Sequence, residues 1–192
     1  MVANPDIEMT YPDSPHQLDS MIGFVEFEFP IFGDHRGYFR TWFSQSVVLG
    51  KGHHFIPMQS NISRSQKNVI RGIHFSDASY EQSKVITCIS GSILDVAVDL
   101  RLSSETFGKH SKIELSAEKG NSAFVSHGLG HAFEVLTDEA TIVYLLSSEW
   151  NPNLEYAINP LDPSLKIKWH TGSPLLSEKD SSAPSLAEYF NS

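Results

Sequence analysis

KVITCISGSILDVAVDLR, residues 84–101, decides the fold class. Two runs rich in Val, Ile and Leu flank a Ser-Gly-Ser signal, the pattern of paired strands joined by a tight turn. In the second run Leu94, Val96, Val98 and Leu100 share one face, while Asp95, Ala97 and Asp99 share the other. Such period-two alternation predicts a strand with one packed face and one at least partly polar face. Gly91 is expected at the turn for its access to positive φ rather than for phosphate.

Outward from this hairpin the same grammar recurs. VEFEFPIF, KHSKIELSA, NSAFVS, HAFEVL and ATIVYLLSS are short, rich in Val, Ile and aromatics, and separated by Gly, Asn, Asp or Ser. The spacing predicts an all-β sandwich or barrel rather than βαβ units. Helical signals are few. The clearest is SLAEYF near the C-terminus, with Ser185 as cap and Glu188 three residues on as a capping box. Residues 1–20, rich in Pro, Asp and Ser, read as an irregular arm. NPLDPSLKIKW reads as a turn-rich connection and 175–192 as a tail with a short helix.

At 192 residues the chain suits one domain, 1–192. Its 40% hydrophobic and 19% charged residues are those of a soluble globular protein, and no apolar run nears the ~20 residues of a membrane span. The opening MVANPDIEMTYPDSP lacks the basic and apolar regions of a signal peptide. One cysteine, Cys88, lies in an apolar run, as a small buried hydrophobe in a reducing cytoplasm would. A net charge of −9 and no basic stripe exclude nucleic acid as an expected partner. An anionic small molecule stays open, because a cleft can gather positive groups against the overall sign.

Which residues carry chemistry is less direct. Nine histidines raise the question of a metal, but no His-x-His occurs. His127 and His131 are four apart with two glycines between them, which opposes a helix, and in a strand they would stand about 13 Å apart. His53 and His54 are adjacent and would face opposite ways if extended. Hydrolase and nucleotide-loop motifs of the Gly-x-Ser-x-Gly, Walker and Gly-x-Gly-x-x-Gly types are absent. Proton transfer remains. A histidine backed by a carboxylate can abstract a proton beside a carbonyl if a cation stabilises the enolate oxygen, and a tyrosine opposite can return the proton to the other face. His74, Lys84, His131 and Tyr144 lie in strand-like runs and Asp180 near the end. By residue type alone His74 is equally well a core histidine.

Taken in order, DHRGYF, QSN, VIRGIHF, QSKVITCISGSILDVAVDLR, TFGKHSKIELS, GLGHAF, TIVYLLSSEWNP, INPLDPSLKIKW and PLLSEKD resemble the dTDP-4-dehydrorhamnose 3,5-epimerases, over about residues 22–189. GLGHAF and INPLDP are most similar to the actinobacterial branch. The resemblance implies a cupin-type jelly roll with a few short helices, a homodimer exchanging N-terminal strands, no metal and no cofactor. It implies a dTDP-4-keto-6-deoxyhexose substrate inverted at C3 and C5, converting dTDP-4-dehydro-6-deoxy-D-glucose to dTDP-4-dehydro-L-rhamnose. A monoepimerase is the near alternative, and a metal-binding or ketoisomerase-type cupin the distant one.

Carried over by position, the resemblance makes His74 the base, Asp180 its orienting carboxylate, Lys84 the oxyanion cation and Tyr144 the acid on the other face. His131 would line the sugar pocket. Arg36, Gln59, Asn61, Arg71, Glu155 and Lys179 match nucleotide-contacting positions, and the arginines would hold the diphosphate by bidentate, short-range contacts. Three positions depart from the family pattern. Thr41 stands where glutamate is usual, Trp150 where a tyrosine stacks on thymine, and His127 where an acidic residue is frequent. Trp150 still offers a ring for the base. In a regular strand residues 71 and 74 face opposite sides, so both reach one cavity only through a bulge at Gly72 or by Arg71 wrapping from the rim.

Overall fold

The computed structural model describes residues 23–191, so the arm expected at 1–20 lies outside the described residues. Twelve strands run through this part of the chain: β1 Phe24–Glu28, β2 Ile31–Asp34, β3 Gly37–Arg40, β4 Gln59–Gln66, β5 Ile70–Ser76, β6 Lys84–Ser90, β7 Ser92–Asp99, β8 His110–Ser116, β9 Asn121–Val125, β10 Leu129–Val135, β11 Glu139–Leu146 and β12 Glu155–Ala157. Short helices are α1 Gln45–Gly50, α2 Glu178–Ser181 and α3 Leu186–Asn191. One antiparallel sheet has the order β1-β9-β6-β11-β4, a second the order β12-β5-β10-β7-β8, and β2 and β3 pair as a separate hairpin. Two five-stranded sheets with this interleaved order form a cupin-type jelly roll.

The paired hairpin read from the sequence does not form: β6 and β7 follow one another through the Gly91 turn but enter different sheets, β6 pairing with β9 and β11 and β7 with β8 and β10. Gly91 there has φ +73°, and a Cβ would lie 2.2 Å from the Glu139 carbonyl oxygen, so any side chain would collide with backbone. The partly polar face of β7 carries Asp95 and Asp99, and both faces are packed. All of Ile93–Asp99 is buried. Ile93 and Ala97 join the cluster between the sheets, with Ile86, Cys88, Leu115, Phe133 and Ile142. Leu94, Val96, Val98 and Leu100 instead pack outside the second sheet, with Ile73, Phe75, Ile158 and Leu165. The aspartate face is therefore the interior one. The apolar face is packed because the C-terminal segment covers it, including Trp169, Tyr189 and Phe190. Each large side chain so buried contributes about 1.5–3 kcal/mol.

Buried carboxylates pin this arrangement. Asp99 accepts from Arg101 Nε at 2.8 Å, Ser104 Oγ at 2.6 Å and Thr106 Oγ1 at 2.5 Å. Burial pushes its carboxyl up, but these hydrogen bonds prevail and hold it well below the usual range. Glu134 on β10 accepts the Thr171 N–H at 2.6 Å and the His170 N–H at 2.8 Å, tying the C-terminal segment to the sheet.

Other expectations shift in detail. VEFEFPIF breaks at Pro30 into β1 and β2, as a residue without an N–H donor dictates. α1 and β4 carry no signal read from the sequence. In β4 the polar Gln59, Asn61 and Ser63 lean inward while Ile62 and Arg64 point out, inverting the usual pattern. The capping box is present: Glu188 accepts the Ser185 N–H at 2.8 Å and the Ser185 Oγ–H at 2.7 Å. Cys88 is fully buried, donating to the Ser90 and Gly91 carbonyls. No described helix is long and apolar enough to cross a membrane.

Candidate active site

A cavity of about 470 Å³ opens between the two sheets. The first sheet contributes Gln59, Asn61 and Ser63 of β4, Lys84 of β6, and Ile142 and Tyr144 of β11. Opposite them stand Arg71 and His74 of β5, His131 and Phe133 of β10, and Glu155 of β12, with Trp150 on the loop before β12. Inward-facing polar residues of β4 thus line a cavity rather than solvent, and this is why their alternation reads backwards.

His74 and Asp180, 106 positions apart, meet with Nε2 2.7 Å from Oδ1. Asp180 is 2% exposed, and Ser177 caps α2 by accepting its N–H at 3.1 Å. Burial raises the Asp180 carboxyl; the His74 bond and charge, with Ser177 and the Gly72 N–H, outweigh it and leave it below the ordinary value. The carboxylate is therefore ionised at neutral pH and fixes the imidazole.

A bulge resolves the puzzle of residues 71 and 74. On β10 His131 opposes His74 and Phe133 opposes Arg71, so three steps on β5 match two on its partner. Gly72, in between, has φ +111°, and a Cβ there would sit 2.4 Å from the His131 carbonyl oxygen. The extra residue turns Arg71 to the side of His74, where its Nε donates to Ser65 Oγ at 2.9 Å.

Two cavity groups have shifted titrations. Burial lowers the Lys84 ammonium, against the fields of Glu155 and Asp95, with Lys179 adding to the lowering. Burial raises the Tyr144 phenol and Glu155 adds to it, while a hydrogen bond with Asn61 and the charge of Arg71 pull the other way. At the mouth Trp150 is 51% exposed. Its indole N–H donates to Glu155 Oε2, and its backbone N–H donates to Gln59 Oε1 at 2.7 Å. Gln59 in turn donates to Asn61 Oδ1 at 2.9 Å.

Two positions expected at the substrate do not line this cavity. Arg36 sits in the turn between β2 and β3, exposed and paired with Asp34 rather than lining the cavity. Lys179 is exposed on α2, one residue from Asp180. The departures Thr41 and His127 are also exposed. The sequence reading missed Asp95, which is fully buried with Oδ1 2.6 Å from His131 Nε2. Its place on the nominally polar face of β7 was the available signal. No group of three or more His, Cys, Asp or Glu side chains assembles for a metal among the described residues.

A jelly roll with a histidine–carboxylate pair facing a lysine and a tyrosine across one cavity is a carbohydrate epimerase scaffold, and comparison with known proteins agrees. The family model of dTDP-4-dehydrorhamnose 3,5-epimerase matches residues 19–188, and the chain belongs to that family. It is 43% identical over 159 residues to a dTDP-4-dehydro-6-deoxyglucose 3-epimerase of Streptomyces bikiniensis, covering 82% of this chain and 81% of that one. It is 40% identical over 169 residues to the dTDP-4-dehydrorhamnose 3,5-epimerase of Shigella flexneri, covering 85% and 92%. Among solved structures, ChmJ, a 3'-monoepimerase from Streptomyces bikiniensis in complex with dTDP-quinovose, superposes with a TM-score of 0.83 at 41% identity, covering 88% of this chain and 87% of that one.

Proposed function

We propose that this protein epimerises a dTDP-4-keto-6-deoxyhexose at C3 and C5. The observation that carries the reading is that His74, backed by Asp180, and Tyr144 stand on opposite sheets of one cavity, with Lys84 between the same walls. Inversion needs a base on one face of the sugar ring and an acid on the other. The His74 nitrogen not engaged by Asp180 takes the proton from the carbon beside the C4 ketone. The C–H electrons become the enolate, its O4 charge is met by the Lys84 ammonium, and the Tyr144 hydroxyl delivers a proton to the opposite face. His74 then loses its proton, and the Tyr144 phenolate regains one, through solvent. C3 and C5 both flank C4, so one set of groups serves both.

Trp150, held by Glu155 and Gln59, is the platform for the base, and Arg71 meets the diphosphate at short range. The protein acts as a homodimer. Ile31, Phe32, Tyr38 and Phe39 of the β2–β3 hairpin and Ile62 of β4 are exposed, and a second copy would cover them. Arg36 at the hairpin turn then serves the partner's cavity rather than its own.

Incubation with dTDP-4-keto-6-deoxyglucose in deuterated water tests the reading. Deuterium should enter at C3 and C5, and absence at both sinks it for this substrate. The 3-epimerase relative at 43% identity favours a second reading, inversion at one centre, which deuterium at C3 alone would establish.

A further inference from the structure

β4 turns Gln59, Asn61, Ser63 and Ser65 inward in alternation. The first three line the cavity, whereas Ser65 is not among the lining residues and is the most buried of the set, at 6% exposure. A buried hydroxyl needs a hydrogen-bond partner. For the Ser65 Oγ that partner is Arg71, whose Nε–H it accepts at 2.9 Å. The two residues lie near the ends of the β4–β5 connection, on strands of different sheets, so the bond ties one wall of the sandwich to the other.

Arg71 has the opposite character. It lines the cavity and is exposed, and a long side chain so placed samples many rotamers unless something holds it. The bulge at Gly72 sets where the side chain starts, on the side of His74. The bond to Ser65 sets where it ends. Because that bond engages Nε, the terminal nitrogens Nη1 and Nη2 keep no hydrogen bond among the described residues, and this pair is a fork of parallel donors suited to phosphate oxygens.

We propose that Ser65 is a positioning residue of the diphosphate site: by holding Arg71 through Nε it orders the guanidinium before substrate arrives and leaves the end-on pair of donors for the phosphates. The proposal rests on the reading of Arg71 as a diphosphate ligand. Ser65 acts through Arg71 alone, so its effect belongs to binding rather than to the proton transfers.

Ser65→Ala removes the acceptor and little volume. Calorimetric titration with dTDP should show Kd rise about 3- to 10-fold, the scale of ordering one long side chain on binding. Thymidine, which offers the base without phosphate, should bind Ser65→Ala as it binds wild type. With dTDP-4-keto-6-deoxyglucose, KM should rise in step with the dTDP Kd while kcat holds. Ser65→Thr, which keeps the hydroxyl and suits a strand, should restore dTDP affinity. In an Arg71→Ala background Ser65→Ala should cost nothing more, since the whole effect runs through one guanidinium.

Unchanged dTDP affinity in Ser65→Ala, an equal loss for thymidine, a loss confined to kcat, or additive losses with Arg71→Ala would each overturn the proposal. Should Ser65→Ala fail to fold, Ser65→Cys decides instead: its sulfur is a weak acceptor of similar size, and it must show the same loss for dTDP over thymidine. An Arg71→Ala protein that binds dTDP like wild type defeats the diphosphate reading of Arg71 and the proposal with it. A weakened Arg71→Ala beside an unaffected Ser65→Ala defeats the proposal and leaves that reading standing.

Discussion

His74 and His131 are directly opposed across the β5–β10 ladder, and each presses one ring nitrogen onto a buried carboxylate, Asp180 at 2.7 Å and Asp95 at 2.6 Å. Opposed residues on one sheet face hold their Cβ atoms about 4.5–5.5 Å apart, so two oriented imidazoles share one wall of the cavity. Their carboxylates come from opposite directions in the chain, one from β7 inside the sandwich and one from α2.

Removing the base and removing the acid should look different. His74→Ala should abolish deuterium exchange, a loss of at least about 100-fold. Tyr144→Phe should keep exchange and lose inversion, because abstraction precedes the step it serves. Isotope ratios and product stereochemistry by NMR separate the two, and equal small effects would remove both assignments.

Lys84 sets stability against activity. Its folded pKa is depressed by burial, so between the folded and unfolded values the unfolded chain binds more protons and stability rises with pH. Lys84→Met should flatten that rise and at pH 7.5 raise Tm by about 2–4 °C, a shift worth ~1 kcal/mol in a chain of this size, while turnover disappears. Calorimetry across pH 7 to 10 checks the slope, and a lower Tm contradicts the account.

Gly72→Ala probes the bulge. A Cβ placed 2.4 Å from the His131 carbonyl oxygen at φ +111° forces β5 away from β10. The strained backbone alone costs about 1–3 kcal/mol. Denaturant midpoints should fall and kcat with them, since His74 and Arg71 flank the displaced residue.

Trp150→Ala should raise KM for the dTDP-sugar by about 10- to 100-fold with kcat little changed, the scale of one base–aromatic stack. Trp150→Tyr should recover most of that affinity. A kcat effect larger than the KM effect would place the ring in the chemistry instead.

Phe39 is 69% exposed on the hairpin and Ile62 71% on β4. Phe39→Asp together with Ile62→Asp should yield a monomer by sedimentation equilibrium, with its stability near wild type and its turnover lowered through loss of Arg36 from the partner. A wild-type protein that already sediments as a monomer defeats the dimer.

Legibility in the sequence followed the range of the physics. Strand alternation, the Gly91 turn and the Ser185–Glu188 capping box depend on neighbours a few residues apart, and each was readable. The ordered motifs also named His74, Lys84, Tyr144 and Asp180, but as a resemblance. β4 was missed because polar side chains facing a cavity mimic those facing water. Which face of β7 points into the sandwich was not readable for a related reason, since alternation cannot tell which layer covers which face.

The sequence by itself determined that the chain is a β-sandwich of short strands with a chemically equipped set of polar residues. Only the tertiary structure decided which of them meet. Closing contacts over 106 positions, such as His74 with Asp180, depends on how two sheets and a C-terminal segment stack. It also turned the aspartate face of KVITCISGSILDVAVDLR inward, placing Asp95 behind His131, because the C-terminal segment's aromatics bury the apolar face from outside.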